Sequence, residues 1–328
     1  MSVVRVGSRK SELALVQTNK VIDLLKFHYP EKIFEVVTYD TLGDKFNSLP
    51  LPKIGEKSLF TKELELALQR REVDLVVHSL KDLPSSLPKN LRIGAICKRD
   101  DPHDCVLYHP KFGSNVTPTS LNSLPNNSTV GSSSIRRISQ LKQLYPQLIF
   151  LDIRGNVNTR LKKLCECDKY DAIILAKAGV DRMGWQDRIG QILNGDEFFY
   201  AVGQGALAVE IRSDDDATGG LVSIINDRET ELCCLAERAL MLHLQGGCST
   251  PIGVKWHSQG RQSAVLEAAC FSVEDNQRVT YRATVAMHTR EDAEKLGQYI
   301  AQKMLEAGAD TLLRAARGIL ATGGQNMQ

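Results

Sequence analysis

No stretch of this chain supplies the roughly twenty consecutive apolar residues that a membrane-spanning helix needs. The opening residues, MSVVRVGSRKSELALV, read as a strand entering a helix, not as a charged lead before an apolar core, so no secretion signal is expected. Charge of one sign is equally scarce. Lys and Arg number 41 against 39 Asp and Glu, a formal net charge of +2, so neither nucleic acid nor an anionic membrane is expected as a partner. Any basic residues that matter must be concentrated locally. Cysteines number eight in 328 residues and include the neighbours Cys233 and Cys234. Without a secretion signal they read as free thiols in a reducing compartment, and a cytoplasmic location is expected. Cys165 and Cys167 form a C-x-C, but no second cysteine pair or H-x-x-x-H completes four ligands, so no metal is expected. There is no G-x-x-x-x-G-K-[ST] and hence no P-loop, and no internal repeat or low-complexity tract. The turn Gly203-Gln204-Gly205-Ala206 precedes a strand-like run instead of a helix, so it lacks the dinucleotide-binding context.

What is present is an ordinary globular composition, 42% hydrophobic and 24% charged, on a chain long enough for two or three domains. Short β-branched runs alternate with helical patterns through the first two thirds, which predicts an α/β class built on crossover units. Strands are expected at Val3–Gly7, Ile33–Thr41, Val73–His78 and Leu91–Ile96, with helices over Ser11–His28 and Leu59–Arg71. A second set runs from Cys105–Tyr108 through Thr129–Gly131, a helix Ser134–Tyr145, strand Ile149–Ile153, helix Asn158–Leu164 and the apolar run Ala172–Ala176. The strand-like Ala206–Arg212 is placed to return to the first lobe. Two lobes joined by more than one crossing leave a cleft, the usual place for a ligand. The last hundred residues change character. A helix over Glu229–Leu244 stops at Gly246-Gly247, segments Ala264–Phe271 and Arg278–Met287 follow, then a helix Arg290–Ala307, together a small α+β domain. The expected division is 1–99 with 203–226, then 100–202, then 227–328.

One motif recurs: a strand, small polar residues, then arginine opening a helix. It occurs around Arg9 with Ser11, around Ser133 with Arg136 and Arg137, and around Arg154 with Arg160. Each places N–H groups, hydroxyls and a guanidinium where a helix dipole favours an anion, and arginine's planar fork suits carboxylates or phosphates. Arg182 is a candidate fourth contact. Three such sites at strand ends point to a small ligand with several anionic groups, carboxylates in preference to phosphates given the missing P-loop. The run VDLVVHSLKDLP (73–84) lifts Ser79, Lys81 and Asp82 to a strand end. Asp82 there suits general acid–base work or the stabilisation of a developing cation; it equally suits a cap on the turn before Leu83-Pro84. Glycines and proline put Cys248 of Gly246-Gly247-Cys248-Ser249-Thr250-Pro251 on a loop, where a thiolate can serve as nucleophile or covalent tether. Cys97, Cys233, Cys234 and Cys270 look like core hydrophobes. The long connection 42–58, rich in Gly, Pro and Lys, reads as a binding loop or lid.

Together these stretches resemble the hydroxymethylbilane synthase (porphobilinogen deaminase) family. The resemblance rests on GSRKSELALVQT (7–18), GEKSLFTKELE (55–65), DLVVHSLKDLP (74–84), GAICKRDDPHD (94–104), GSSSIRR (131–137), IRGNVNTRL (153–161), DRMGW (181–185), YAVGQGALAVE (200–210) and LAERALMLHLQGGCSTP (235–251). It covers the first 250 residues nearly end to end and says less beyond Trp256. It implies two periplasmic-binding-protein-like lobes plus a small cysteine-bearing domain. It also implies a dipyrromethane cofactor held by a thioether to Cys248, with Asp82 as the central catalytic group. Porphobilinogen would lose ammonia to give an electron-poor azafulvene attacked by the growing chain; four cycles and hydrolysis would give hydroxymethylbilane, passed on to uroporphyrinogen-III synthase. Arg9, Arg136, Arg137, Arg154, Arg160 and Arg182 would bind acetate and propionate arms, assisted by Ser11, Gln17, Ser79, Lys81, Ser133 and Gln204. Gly55, Lys57, Ser58 and Phe60 would belong to a mobile loop, and a monomer is implied. Ser8, Ser132, Thr250 and above all Lys177 depart from the usual pattern. The rival reading is a non-enzymatic two-lobed binding protein for a small anion, which explains the arginines but requires neither Asp82 nor Cys248.

Overall fold

The computed structural model describes residues 3–41, 43, 60–113, 118–194, 198–247, 250–258 and 264–321. The first lobe begins with β1 (Val3–Arg9), α1 (Glu12–His28), β2 (Ile33–Tyr39), α2 (Lys62–Gln69), β3 (Leu75–Ser79) and β4 (Leu91–Ile96). The chain then crosses into β5 (Asp104–Tyr108), β6 (Thr129–Gly131), α3 (Ile135–Leu144), β7 (Ile149–Leu151), α4 (Val157–Glu166), β8 (Ala172–Ala176), α5 (Lys177–Arg182) and β9 (Gln191–Leu193). It returns through β10 (Leu207–Arg212) and α6 (Asp216–Ser223). The remainder is α7 (Arg228–His243), β11 (Ile252–Ser258), β12 (Ala264–Phe271), β13 (Arg278–Val285), α8 (Arg290–Glu306) and α9 (Ala309–Ala321).

Three sheets result. The first runs β2-β1-β3-β10-β4 and the second β7-β6-β8-β5-β9, while β11-β12-β13 form an antiparallel third. In each large sheet the first three strands are parallel and the crossing strand, β10 or β5, is antiparallel to its neighbours. This is an α/β architecture of two sheet–helix lobes with a small α+β unit, as the alternation of runs predicts. Helix α1 buries Val21, Ile22 and Leu25 against Val4 and Val6 of β1 and Val209 of β10, a face set by helical spacing. Lys177–Arg182 forms a helix directly after β8, so Arg182 closes a helix and does not follow a bare strand. Helix α6 went unpredicted because Gly219 and Gly220 depress its propensity; the Asp215 side chain starts it by accepting the Thr218 N–H at 2.9 Å.

The glycine stop of α7 needs correcting. The residue in the left-handed region is Gln245, with φ 51°, not either glycine. Its N–H donates to Leu242 O at 3.0 Å and the Gly246 N–H to Met241 O at 2.9 Å, the paired bonds that finish a helix in this way.

Where the three units meet, Glu237 of α7 is fully buried. It accepts from Arg99 at 2.6 Å, from the Trp256 indole N–H at 2.7 Å and from the Gly203 backbone N–H at 2.6 Å. Burial works to lower the Arg99 pKa, but the carboxylate beside it raises it on balance. Glu237→Ala would leave that guanidinium unpaired in the interior. We expect a loss of about 3–5 kcal/mol, measured as a lower denaturant midpoint at unchanged slope.

Candidate active site

Asp82 ends a single 3₁₀ turn, Leu80–Asp82, that caps β3 at the mouth between the lobes. Its carboxylate is exposed, and among the described residues none donates a hydrogen bond to it. A capping aspartate would accept a backbone N–H, so the turn-cap reading loses its support. The preceding strand residues point to two uses. Ser79 exchanges hydrogen bonds with Gln17 of α1, the Gln17 amide donating at 2.9 Å. Leu80 is buried against α7.

Across the mouth stand the arginines of the second lobe. Helix α3 starts after Ser134 and aims Arg136 and Arg137 inward, where both are buried. Arg136 donates to Phe199 O at 2.6 Å and to Asp104 Oδ2 at 2.8 Å. Arg137 donates to Ile174 O at 2.9 Å and to Asp104 Oδ1 at 2.7 Å. Gln204 adds a donor to Asp104 Oδ1 at 2.8 Å. Burial alone would push the Asp104 carboxyl up; the two guanidiniums and the amide outweigh it and hold it well below the usual carboxylate range. The anion expected at Arg136 is therefore the protein's own Asp104. Arg137 differs, because its Nε–H is buried with no partner, a donor still seeking an acceptor.

Lys81 lies 3.4 Å from Gln204 Oε1. Part of its side chain stays open, yet its amine is desolvated enough to fall to about 8, with Arg137 and Arg136 adding to the effect and Asp82 and Asp104 opposing it. Arg160 of α4 donates to Gly155 O at 2.8 Å. Burial first, then Arg137, lowers it to about 10, with Asp82 opposing. The structure thus gathers Lys81, Asp82, Arg136, Arg137, Arg160 and Gln204 within one another's fields, with Arg154 beside Arg160. Four cations, Lys81, Arg136, Arg137 and Arg160, face two carboxylates, Asp82 and Asp104, an excess of two positive charges.

Other expected residues stand apart. Arg9 stacks on the Phe60 ring at 4.5 Å. Ser11 flanks α1 without capping it by its side chain. The Ser133 hydroxyl donates to Ile153 O at 2.6 Å and so ties the two arginine-bearing openings together. Arg154 pairs with Asp152 at 2.8 Å. Arg182 binds the two crossings, donating to Asp100 at 2.9 Å and to Gly205 O at 2.6 Å, with Lys20 of α1 on the same carboxylate. Lys177 neither faces the cleft nor points freely to solvent; it pairs with Asp181 at 2.7 Å and Asp101 at 3.6 Å. Gly55, Lys57, Ser58 and Cys248 lie outside the described residues. Burial pushes the Cys97 thiol up to about 11 and the Cys233 and Cys270 thiols up to about 12, away from the thiolate form.

Sequence reasoning missed Asp104, Asp100 and the role of Gly203-Gln204-Gly205. Both glycines have positive φ, 71° and 88°. A Cβ on Gly203 would fall 3.2 Å from the Lys81 backbone nitrogen, and one on Gly205 would fall 2.4 Å from Asp100 O. Gly203 lets the return crossing lie directly against the Asp82 turn, and Gly205 lets it lie against the outgoing crossing at Asp100. The acid-rich run Arg99–Asp104 was the available signal for the carboxylate partners.

Two outcomes test these electrostatics. Side-chain nitrogen NMR on the cofactor-free protein should show one lysine titrating near pH 8, absent in Lys81→Met, while surface lysines titrate above about 10. Asp104→Asn should cost about 3–5 kcal/mol. Because the native carboxyl is depressed, that deficit should stay constant above about pH 5 and shrink only as acid protonates the wild-type group, as read from unfolding at a series of pH values.

A family model for "Porphobilinogen deaminase, dipyromethane cofactor binding domain" matches residues 4–219, and one for "Porphobilinogen deaminase, C-terminal domain" matches residues 231–306. A porphobilinogen deaminase of Neurospora crassa is 41% identical over 325 residues, covering 98% of this chain and 96% of the relative. One from Nostoc sp. is 44% identical over 94% of this chain and 93% of its own length, and one from Saccharomyces cerevisiae is 41% identical over 94% and 96%. Matched along nearly its whole length by both family models and by these relatives, the chain belongs to the porphobilinogen deaminase family.

Proposed function

We propose that the cleft between the two lobes condenses porphobilinogen with Asp82 as its catalytic carboxylate, and that Cys248 anchors the primer. The chain is a transferase that forms hydroxymethylbilane on a dipyrromethane cofactor, as its family does. The donor set fits that group: an unpartnered buried Arg137 Nε–H, a desolvated Lys81 amine and a surplus of two positive charges call for a ligand rich in carboxylates. Each pyrrole brings two such arms. The cofactor, when bound, supplies the free α-carbon to which the first substrate is joined.

This chain's own residues do the rest. Arg137, Arg160 and Lys81 hold the acidic arms and orient each ring. Lys81 gains most, since an incoming carboxylate offsets the burial that disfavours its charge. As the aminomethyl carbon of porphobilinogen gives up ammonia, positive charge develops on the pyrrole, and an exposed carboxylate with no competing donor is ready to stabilise it. The same carboxylate can take a proton when the new carbon–carbon bond is made. The single observation that carries the reading is the Asp82 carboxylate, free of hydrogen-bond donors among the described residues and within the fields of Lys81 and Arg160.

Arg9, Ser11, Gln17, Ser79, Ser133, Arg154, Arg182 and Gln204 assist by contact or by holding the cleft's shape. A cytoplasmic monomer that hands its product to uroporphyrinogen-III synthase completes the proposal. A two-lobed anion carrier without chemistry would leave the bare Asp82 carboxylate unexplained and disagrees with the family.

The experiment is turnover of porphobilinogen combined with intact-protein mass. Cys248→Ala should retain only the polypeptide mass and form no product. Asp82→Asn should fold and lose turnover by roughly 10²- to 10⁴-fold; near-normal hydroxymethylbilane formation by that variant sinks the catalytic assignment.

A further inference from the structure

Helix α7 meets the Asp82 turn through two residues one helical turn apart. Cys234 is buried in a cluster with Leu80, Leu83, Ile96, Ala206 and Ala208. Arg238, four residues on and so on the same face, is also buried. It donates to Leu83 O at 3.0 Å and to Pro84 O at 2.6 Å. Those are the two carbonyls that immediately follow Asp82.

The turn needs such support. Leu80–Asp82 is one 3₁₀ turn, closed by the Leu83 N–H donating to Leu80 O at 3.1 Å. Short 3₁₀ pieces have poor hydrogen-bond geometry, and Pro84 has no N–H with which to continue. A buried guanidinium holding two successive carbonyls supplies the missing restraint, through charge-assisted bonds stronger than neutral ones.

The far end of α7 is braced as well. Beyond the bonds that close it at Gln245 and Gly246, Arg317 of α9 donates to Leu244 O at 3.3 Å and to Gln245 O at 3.1 Å. The Gly247 N–H then donates to Thr250 Oγ1 at 3.1 Å. With a rise of about 1.5 Å per residue, Leu244 stands about 9 Å along the helix from Arg238. One stiff element therefore leads from the Asp82 turn to the helix end at Gln245 and Gly246.

We propose that Arg238 is a positioning residue that locks the Asp82 turn to α7 and so fixes the catalytic carboxylate in the cleft. The inference rests on the roles proposed above for Asp82 and Cys248. Arg238 touches no reacting atom. Its effect is geometric, and small misplacements at a reacting centre are expensive in rate. Arg137 and Arg160 of the other lobe do not depend on it, so substrate retention should suffer less than the chemical step.

The test uses holoenzyme carrying Arg238→Met, Arg238→Lys or, as control, Leu240→Ala, which opens the core on the same helix without reaching the turn. Intact mass counts tethered molecules, hydrogen exchange follows the segment 79–87, and kcat and KM are expressed per tethered molecule. Arg238→Met should keep its tether, speed exchange of the Leu83 amide by about tenfold, and lose kcat by roughly 10- to 100-fold with KM within about threefold. Arg238→Lys, which keeps a charge and one donor, should lie between it and wild type. Leu240→Ala should unfold more easily yet turn over normally per tethered molecule. The proposal is overturned if Arg238→Met shows wild-type kcat or unchanged exchange, or if Leu240→Ala loses kcat as severely. Should Arg238→Met not fold, Arg238→Lys decides: wild-type exchange and kcat there defeat the proposal, and a partial loss of both supports it. A wild-type protein that lacks tether or turnover would instead defeat the reading of Asp82 and Cys248.

Discussion

A buried carboxylate, Asp104, is shared by two adjacent guanidiniums and one amide, and the geometry of the cleft follows from that sharing. Asp104 opens β5, beside the end of β8, so its position is set by the second sheet. Arg136 and Arg137 come from α3 and reach back to it, while Gln204 comes from the return crossing and lies against Lys81 of the first lobe. One ion therefore ties a sheet, a helix and the inter-lobe crossing. Burying a charge is costly unless it is paired and hydrogen-bonded, and here the pairing is complete enough to hold the carboxyl ionised. The arginines are not loose arms waiting for a ligand. They are a rigid frame, with one N–H of Arg137 left over.

A second shared carboxylate plays the same part for the small domain. Glu237 gathers Arg99 from the outgoing crossing, Gly203 from the return crossing and Trp256 from β11. The next residue, Arg238, holds the turn beyond Asp82. Two consecutive side chains of α7 thus join the small domain to both crossings and to the turn that ends at Asp82. The lobes keep their own cores and are joined through the crossings, whereas α7 is tied directly to the turn that ends at Asp82.

Much of this was legible in the residues, and the boundary of legibility has a physical cause. β-branched runs and helical spacing are local, so β1, β3, β4, β8 and α1, α3 and α7 were readable. The clustering of arginines at helix openings was readable too. Where each guanidinium ends was not, because a partner such as Asp104 for Arg136, or Asp100 for Arg182, lies dozens of residues away and is chosen by sheet order. Gln245 in the left-handed region shows the same limit in miniature: the double glycine marked the stop, but the bonds at the helix end decided which residue adopted the strained conformation. Lys177 looked anomalous on pattern alone and became ordinary once Asp181 stood one turn beyond it. Cys248 was read from loop chemistry and family resemblance, and that reading rests there.

The surplus positive charge in the cleft links stability to loading. Lys81 and Arg160 are pushed down to about 8 and about 10 by burial and by neighbouring arginines, so the empty frame carries unfavourable electrostatics that a carboxylate-rich ligand would relieve. A reversible ligand gives such relief only in proportion to its concentration over its dissociation constant. On the proposed reading a tethered one would give it permanently, and the covalent primer would be a structural component of the frame as well as the start of the chain. Each added pyrrole brings two further carboxylates into a cavity whose fixed cations do not increase. The fit that favours the first rings must therefore weaken as the chain grows, and accumulating negative charge would itself favour release of a finished product over unlimited extension.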